Sequence, residues 1–221
     1  MSYQVLSFDT WPRAEHFKFY KNASNPWFNI GSNLDVSALY YYCKAQQLSF
    51  YHAYLYLMQQ GINSNQSFGY RIVGEQVRHY SKLSISIAIL GDDQMIRFCE
   101  LPFVEQFEEF SKLALLAEQR AKGQPFIAAD FVGNEMRQDV VHASVIPWLS
   151  FTSFSNARNT DVPDSIPKIV FGKAFKQSDK LLIPLSVEVH HGVMDGLHVG
   201  RFVESLQQAF NCPQLLDKTT N

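Results

Sequence analysis

Residues 181–202 read LLIPLSVEVHHGVMDGLHVGRF. An apolar run ends in two adjacent histidines, turns at Asp195-Gly196 and restarts as a helix over about 196–210, with Val199, Val203, Leu206 and Phe210 on its inner face. That pattern is a sheet strand feeding a helix whose apolar stripe must be buried. A strand end that projects polar groups into a loop is a good catalytic platform. Histidine ordinarily titrates near neutrality, which suits a general base. Side chains alternate along a strand, so His190 and His191 point to opposite sides and at most one enters a given site. The spacing alone is equally compatible with two surface histidines and with Asp195 serving only as a helix cap.

Strands and helices interleave along the rest of the chain without a strict βαβ rhythm. Strands are expected at 3–8, 27–34, within 68–90, at 141–154 and at 168–175. Helices are expected over 13–21, 35–47, 49–60 and 103–122, the second capped by Asp35 and the third ended by Gly61 and Asn63. Irregular chain is expected from 123 to about 138, and a loop rich in Asn, Asp and Ser from 155 to 167. The reading is one α/β (α+β) sandwich domain over 1–221, with helices packed on a mixed sheet.

Composition excludes several functions. With 46% hydrophobic and 18% charged residues in 221, the chain can bury a sizeable core. Lys plus Arg is 19 and Asp plus Glu is 21, so no basic excess pulls toward nucleic acid or an anionic membrane. Cys43, Cys99 and Cys212 are odd in number and far apart, which fits idle thiols in a reducing compartment. The N-terminus lacks the features of a signal peptide, and no apolar run reaches ~18 residues. A soluble, cytoplasmic protein is expected. HExxH, cysteine clusters, GxGxxG and the P-loop are all missing, so no metal is expected.

The string from His190 to Gly196 is H-H-x-x-x-D-G, the signature of the chloramphenicol acetyltransferase and dihydrolipoamide acyltransferase superfamily. Two further segments resemble the chloramphenicol acetyltransferase branch. Trp11-Pro12-Arg13-Ala14-Glu15-His16-Phe17 with Phe19-Tyr20 is similar to its opening, and Ser144 to Phe154 to its S-A-x-P-W-x-x-F-x-S-F segment. The resemblance implies a homotrimer with active sites at subunit boundaries. It also implies acetyl-CoA as co-substrate, no permanently bound cofactor, and O-acetylation of chloramphenicol, the chemistry of antibiotic inactivation.

Roles follow from it by position. His191 falls on the base that takes the proton from the acceptor hydroxyl, and Ser144 on the serine that donates to the tetrahedral oxyanion. Asp195 and Arg13 fall on an ion pair that holds the histidine loop. Tyr20, Phe19, Phe28 and Phe98 fall where the family lines its acceptor pocket, although an aromatic-rich chain also uses such residues as core. His190 is read as structural, and His198 and Met194 receive no site role. Asn156 and Arg158 stand where apolar drug-contacting residues are expected, Val170 stands at a threonine that bonds a catalytic water, and 87–98 keeps little of the family's run beyond Phe98. These departures keep a second acceptor class open, another small hydroxyl compound. A dihydrolipoamide acyltransferase core is disfavoured for want of a lipoyl domain and a Pro/Ala-rich linker.

Overall fold

A computed structural model describes residues 2–126, 137–158 and 164–217. Among them are the helices α1 (Ala14–Tyr20), α2 (Ser37–Ala45), α3 (Phe50–Ser64), α4 (Phe107–Lys122) and α5 (Gly196–Asn211). The strands are β1 (Gln4–Val5), β2 (Trp27–Asp35), β3 (Tyr70–Val73), β4 (Gln76–His79), β5 (Ser84–Leu90), β6 (Ile96–Leu101), β7 (Val140–Val145), β8 (Lys168–Phe171), β9 (Phe175–Gln177) and β10 (Lys180–His190).

β10 is buried along its length from Ile183 to His190, and it runs antiparallel between β2 and β8. Around it forms a mixed seven-stranded sheet ordered β2-β10-β8-β7-β5-β6, with β9 also paired to β10. β5, β7 and β8 are parallel and the other pairings antiparallel. A small sheet, β1-β4-β3, stands apart from it. This is the expected α+β architecture.

Period-two alternation gives the large sheet two unlike faces. Ile85, Ile87, Val141, Ala143, Ile169, Phe171, Leu185, Val187 and Val189 belong to the hydrophobic core. α5 packs on α3 and β2, and α4 on α3 and β6. The other face carries polar side chains in register, interspersed with small and apolar ones. One row crosses six strands: Phe98, Ala88, Ser144, Val170, Ser186 and Gly31. The next holds Glu100, Ser86, His142, Lys168, Glu188 and Asn29.

Several boundaries differ from the sequence reading. β7 stops at Val145, well short of 154, because Pro147 has no N–H for a ladder and the chain after it leaves the sheet. Its departure is held by Lys173 N donating to Leu149 O at 2.8 Å and Ser150 Oγ to Lys173 O at 2.8 Å. α3 runs past Gly61 to Ser64, since Gly61 lets the helix approach the Phe202 ring and Asn63 bonds back to Gln59 O at 2.9 Å. α4 begins at Phe107 and not at 103. Asp35 ends β2, and its carboxylate takes the Ser37 amide at 3.0 Å, while Val36 stands at the cap position. The 68–90 segment divides into a 3₁₀ turn (Gln66–Gly69), the β3–β4 hairpin and β5. The 168–175 strand divides at Gly172 into β8 and β9. Parts of the expected irregular stretch (127–136) and loop (159–163) lie outside the described residues.

Burial pushes the Cys43 thiol up to about 11 and Cys99 to about 12, so both stay protonated and inert. No described helix is long and apolar enough to cross a membrane, and no described His, Cys, Asp or Glu residues gather as a metal site.

Candidate active site

The two histidines at the end of β10 have opposite surroundings, as alternation requires. His190 is buried with the polar face. Its Nδ1 accepts from Gly192 N at 3.0 Å, and the Trp27 ring meets it edge-on at 5.5 Å. Burial, followed by the nearby Arg158 charge, pushes its pKa down to about 4, so it is neutral and structural at ordinary pH.

His191 is half-buried at the strand end. Its amide donates to Pro26 O at 2.7 Å. The Tyr20 ring, at the end of α1, lies parallel to the imidazole at 4.1 Å and 5°, and Phe28 leans on it at 4.8 Å. Flat contact with Tyr20 and the tilted Phe28 ring leave the imidazole few orientations. His191 Nδ1 is buried and has no hydrogen-bond partner among the described residues.

Arg13, just before α1, braces the loop from below. Its Nη1 donates to Asp195 Oδ2 at 2.6 Å, and Nη2 donates to the His191 carbonyl at 3.0 Å. Asp195 also caps α5: Oδ1 accepts from Leu197 N at 3.0 Å and from His198 N at 3.4 Å, and Asp195 N donates back to His198 Nδ1 at 3.2 Å, closing a capping box; Oδ1 also lies 2.7 Å from His198 Nδ1. Burial raises the Asp195 carboxyl, but the hydrogen bonds from Arg13 and His198 prevail and hold it down at about 2. His198, given no role from sequence, is thus part of the loop's support. The bond from Arg13 to the His191 carbonyl was likewise missed, because a backbone acceptor leaves no sequence signal.

Tyr20 and Phe28 therefore gather at His191. Phe19 touches only the edge of Tyr20, at 4.9 Å, and is 76% exposed, so within this chain it encloses nothing. Phe98 and Ser144 lie elsewhere. Both flank Ala88 in the polar row, and Phe98 packs against Phe126 at 5.5 Å.

That separation is large. Ser144 shares its row with Ser186, and His191 lies five residues further along. At ~3.3 Å per residue this is about 16 Å along the strand, before crossing two strand spacings of ~4.8 Å. Phe28 pairs with Val189, on the apolar side of the sheet, while Ser144 faces the polar side. A general base and an oxyanion donor that act on one centre each stand ~3 Å from it, so the expected roles of His191 and Ser144 require the two to be close. A single chain does not bring them together.

Where β5, β7 and β8 end, on the helix-bearing face of the sheet and so opposite to the Ser144 side chain, opens a cavity of about 800 Å³. Ile89, Val145, Ile183, Tyr51, Tyr54 and Trp148 are among its walls, together with Lys173 and Lys176. Sequence reading did not find it, because its walls come from six separate stretches of chain.

A sequence model of chloramphenicol acetyltransferases matches residues 1–207. The chain belongs to the chloramphenicol acetyltransferase family. The Staphylococcus aureus chloramphenicol acetyltransferase is 32% identical over 216 residues, covering 96% of this chain and 98% of its own length. Chloramphenicol acetyltransferase 3 of Escherichia coli is 28% identical over 214 residues, covering 96% and 98%. A solved chloramphenicol acetyltransferase has a TM-score of 0.85 at 25% identity, covering 94% of this chain and 99% of its own. The cubic core of the pyruvate dehydrogenase multienzyme complex shares the fold, with a TM-score of 0.67 at 16% identity over 92% of this chain and 88% of its own. This chain is an acetyltransferase of the family, and the family H-H-x-x-x-D-G string forms its strand–loop–helix corner at β10 and α5.

Proposed function

We propose that this chain, read as one catalytic domain over 1–221, transfers the acetyl group of acetyl-CoA to a hydroxyl of chloramphenicol, the chemistry of antibiotic inactivation. The observation that carries this reading is His191, held at a strand end by the Tyr20 ring and through its carbonyl by Arg13. An imidazole so constrained can meet a positioned hydroxyl without reorganising. His191 takes the hydroxyl proton as the oxygen bonds to the thioester carbonyl carbon. The carbonyl oxygen becomes an oxyanion, to which the Ser144 hydroxyl donates. Collapse breaks the C–S bond, and the departing thiolate receives the proton from His191.

The distance between His191 and Ser144 within one chain supports a site shared by two neighbours. A homotrimer, the family assembly, lets the histidine end of one chain meet the serine row of the next. Acetyl-CoA is a co-substrate here and not a resident cofactor. Tyr20, Phe28, Phe19 and Phe98 supply acceptor contacts, the last two completed by a neighbouring chain. Consumption of acetyl-CoA fits a cytoplasmic enzyme.

Ser144→Ala is expected to lower kcat by ~10²-fold with little change in either KM, because the hydroxyl meets charge that exists only in the transition state. If KM rises while kcat holds, Ser144 binds substrate instead.

The direct test is thiol release from acetyl-CoA with chloramphenicol, beside a panel of other small alcohols. A kcat/KM for chloramphenicol far above the panel is the expected result. A different alcohol leading the panel selects the second acceptor class. That class is favoured by β6, which offers Phe98 but little else of the family's run.

A further inference from the structure

We propose that Glu188 is a positioning residue for the acceptor: its carboxylate clamps residues 156–158 to the sheet and so sets one wall of the acceptor site. This rests on the acetyl-transfer reading above.

Glu188 lies in β10, two residues from His190 and two from Ser186, on the polar face. It is 5% exposed. A carboxylate buried in mid-strand is costly unless donors surround it. All four donors recorded at Glu188 come from one three-residue stretch. Asn156 N and Nδ2 donate to Oε2 at 3.1 and 3.0 Å, while Arg158 donates to Oε1 through Nε at 2.7 Å and through Nη2. Burial raises the Glu188 carboxyl, but the bonds from Asn156 and Arg158 outweigh it and keep it charged.

The clamp reaches the histidine corner through rings. The Arg158 guanidinium lies 3.1 Å over the centre of Trp27, whose edge meets His190, the neighbour of His191. Arg158 also meets Asp164 Oδ2 at 3.3 Å, so its charge is compensated on two sides. The clamped residues continue the stretch that leaves β7 after Ser144. On the way, Thr152 O passes 3.5 Å from where a Cβ on Gly31 would stand, a close approach over the sheet. One end of this stretch is thus the oxyanion serine, and the other is tied beside the histidine corner.

Asn156 and Arg158 are therefore not stray polar groups facing an apolar drug. Their polar atoms are turned onto Glu188, which removes the desolvation cost that free ones would impose on an apolar ligand. By the family resemblance, residues 156 and 158 stand at acceptor-contacting positions. Loosening the clamp should therefore weaken acceptor binding and spare acetyl-CoA binding.

The test compares the wild-type full chain with Glu188→Ala and Glu188→Gln. Three quantities are read: amide hydrogen exchange over 154–158, KM for the best alcohol of the panel, and KM for acetyl-CoA. Glu188→Ala should speed exchange at Asn156 and raise the acceptor KM roughly tenfold, with acetyl-CoA KM moving less than about twofold. Glu188→Gln keeps an acceptor oxygen and the shape, so it should recover part of the acceptor KM, and it carries the test if the alanine variant does not fold. Unchanged exchange at 154–158, or acceptor and acetyl-CoA KM values that move together, overturns the proposal. A wild type that turns over no alcohol sinks the acetyl-transfer reading and, with it, the acceptor role; faster exchange in the variants then reports the clamp as structural only.

Discussion

His191→Ala is expected to reduce acetyl transfer by at least ~10²–10⁴-fold while leaving the fold intact. The imidazole is half-buried between Tyr20 and Phe28, and its removal leaves no buried charge behind. The His191 backbone contacts, its amide to Pro26 O and its carbonyl from Arg13, survive the substitution. Thermal unfolding should thus move little while kcat falls. His190→Ala should do the reverse. It removes the acceptor for Gly192 N and the partner of Trp27, so stability should drop more than the chemistry requires. Turnover of purified, folded variants decides the assignment. Near-wild-type kcat for His191→Ala would remove His191 from the mechanism, whatever the comparison with other proteins implies.

The second large effect concerns Arg13 and Asp195, which are 182 residues apart in the chain and 2.6 Å apart in the fold. Exposed pairs contribute ~0–1 kcal/mol, whereas removing one partner of a buried pair costs ~3–5 kcal/mol. The two losses should be unequal. Asp195→Ala strands a guanidinium that is 8% exposed and whose Nε has no partner among the described residues, and it removes the cap of α5, so its cost belongs near the buried limit. Arg13→Ala leaves a carboxylate that water can reach. Its stability cost is smaller, but it frees the His191 carbonyl and should lower kcat. The double variant should lose less than the sum of the singles, and additivity in that cycle would refute direct coupling.

The same pair predicts an acid dependence. The Asp195 carboxyl is lower in the folded chain, at about 2, than its ordinary 3.8. Its stabilising contribution is complete above the ordinary value and is lost as pH falls from there through about 2. Unfolding measured between pH 5 and 2 should show a component that Asp195→Asn removes. A variant with an unchanged acid limb would show that other carboxylates account for it.

What the chain determines locally was legible in its sequence. The run into β10, the turn at Asp195-Gly196 and the stripe of α5 rest on periodicity and capping, which act over a few residues. The elements that failed did so where distant contacts overrode local preference. α3 ignores the stop at Gly61 because the Phe202 ring packs against it, and β7 ends early because the chain after Pro147 finds partners at Lys173.

Family resemblance named His191, Ser144, Arg13 and Asp195, yet no pattern in the sequence tells how far apart they stand. Strand order and register decide that. A five-residue offset along β10 and two intervening strand steps separate serine from histidine, and both follow from pairings between segments far apart in the chain. The Glu188 clamp and the cavity at the ends of β5, β7 and β8 have the same origin. Side chains 30 and 32 residues distant come to Glu188 only after the stretch beyond β7 has crossed the sheet. Sequence by itself determined the family and the residue types offered for acyl transfer, because motifs and side-chain chemistry are written in the order of residues. Tertiary structure alone decided which of them meet, because burial and strand register act between segments that carry no mark of each other.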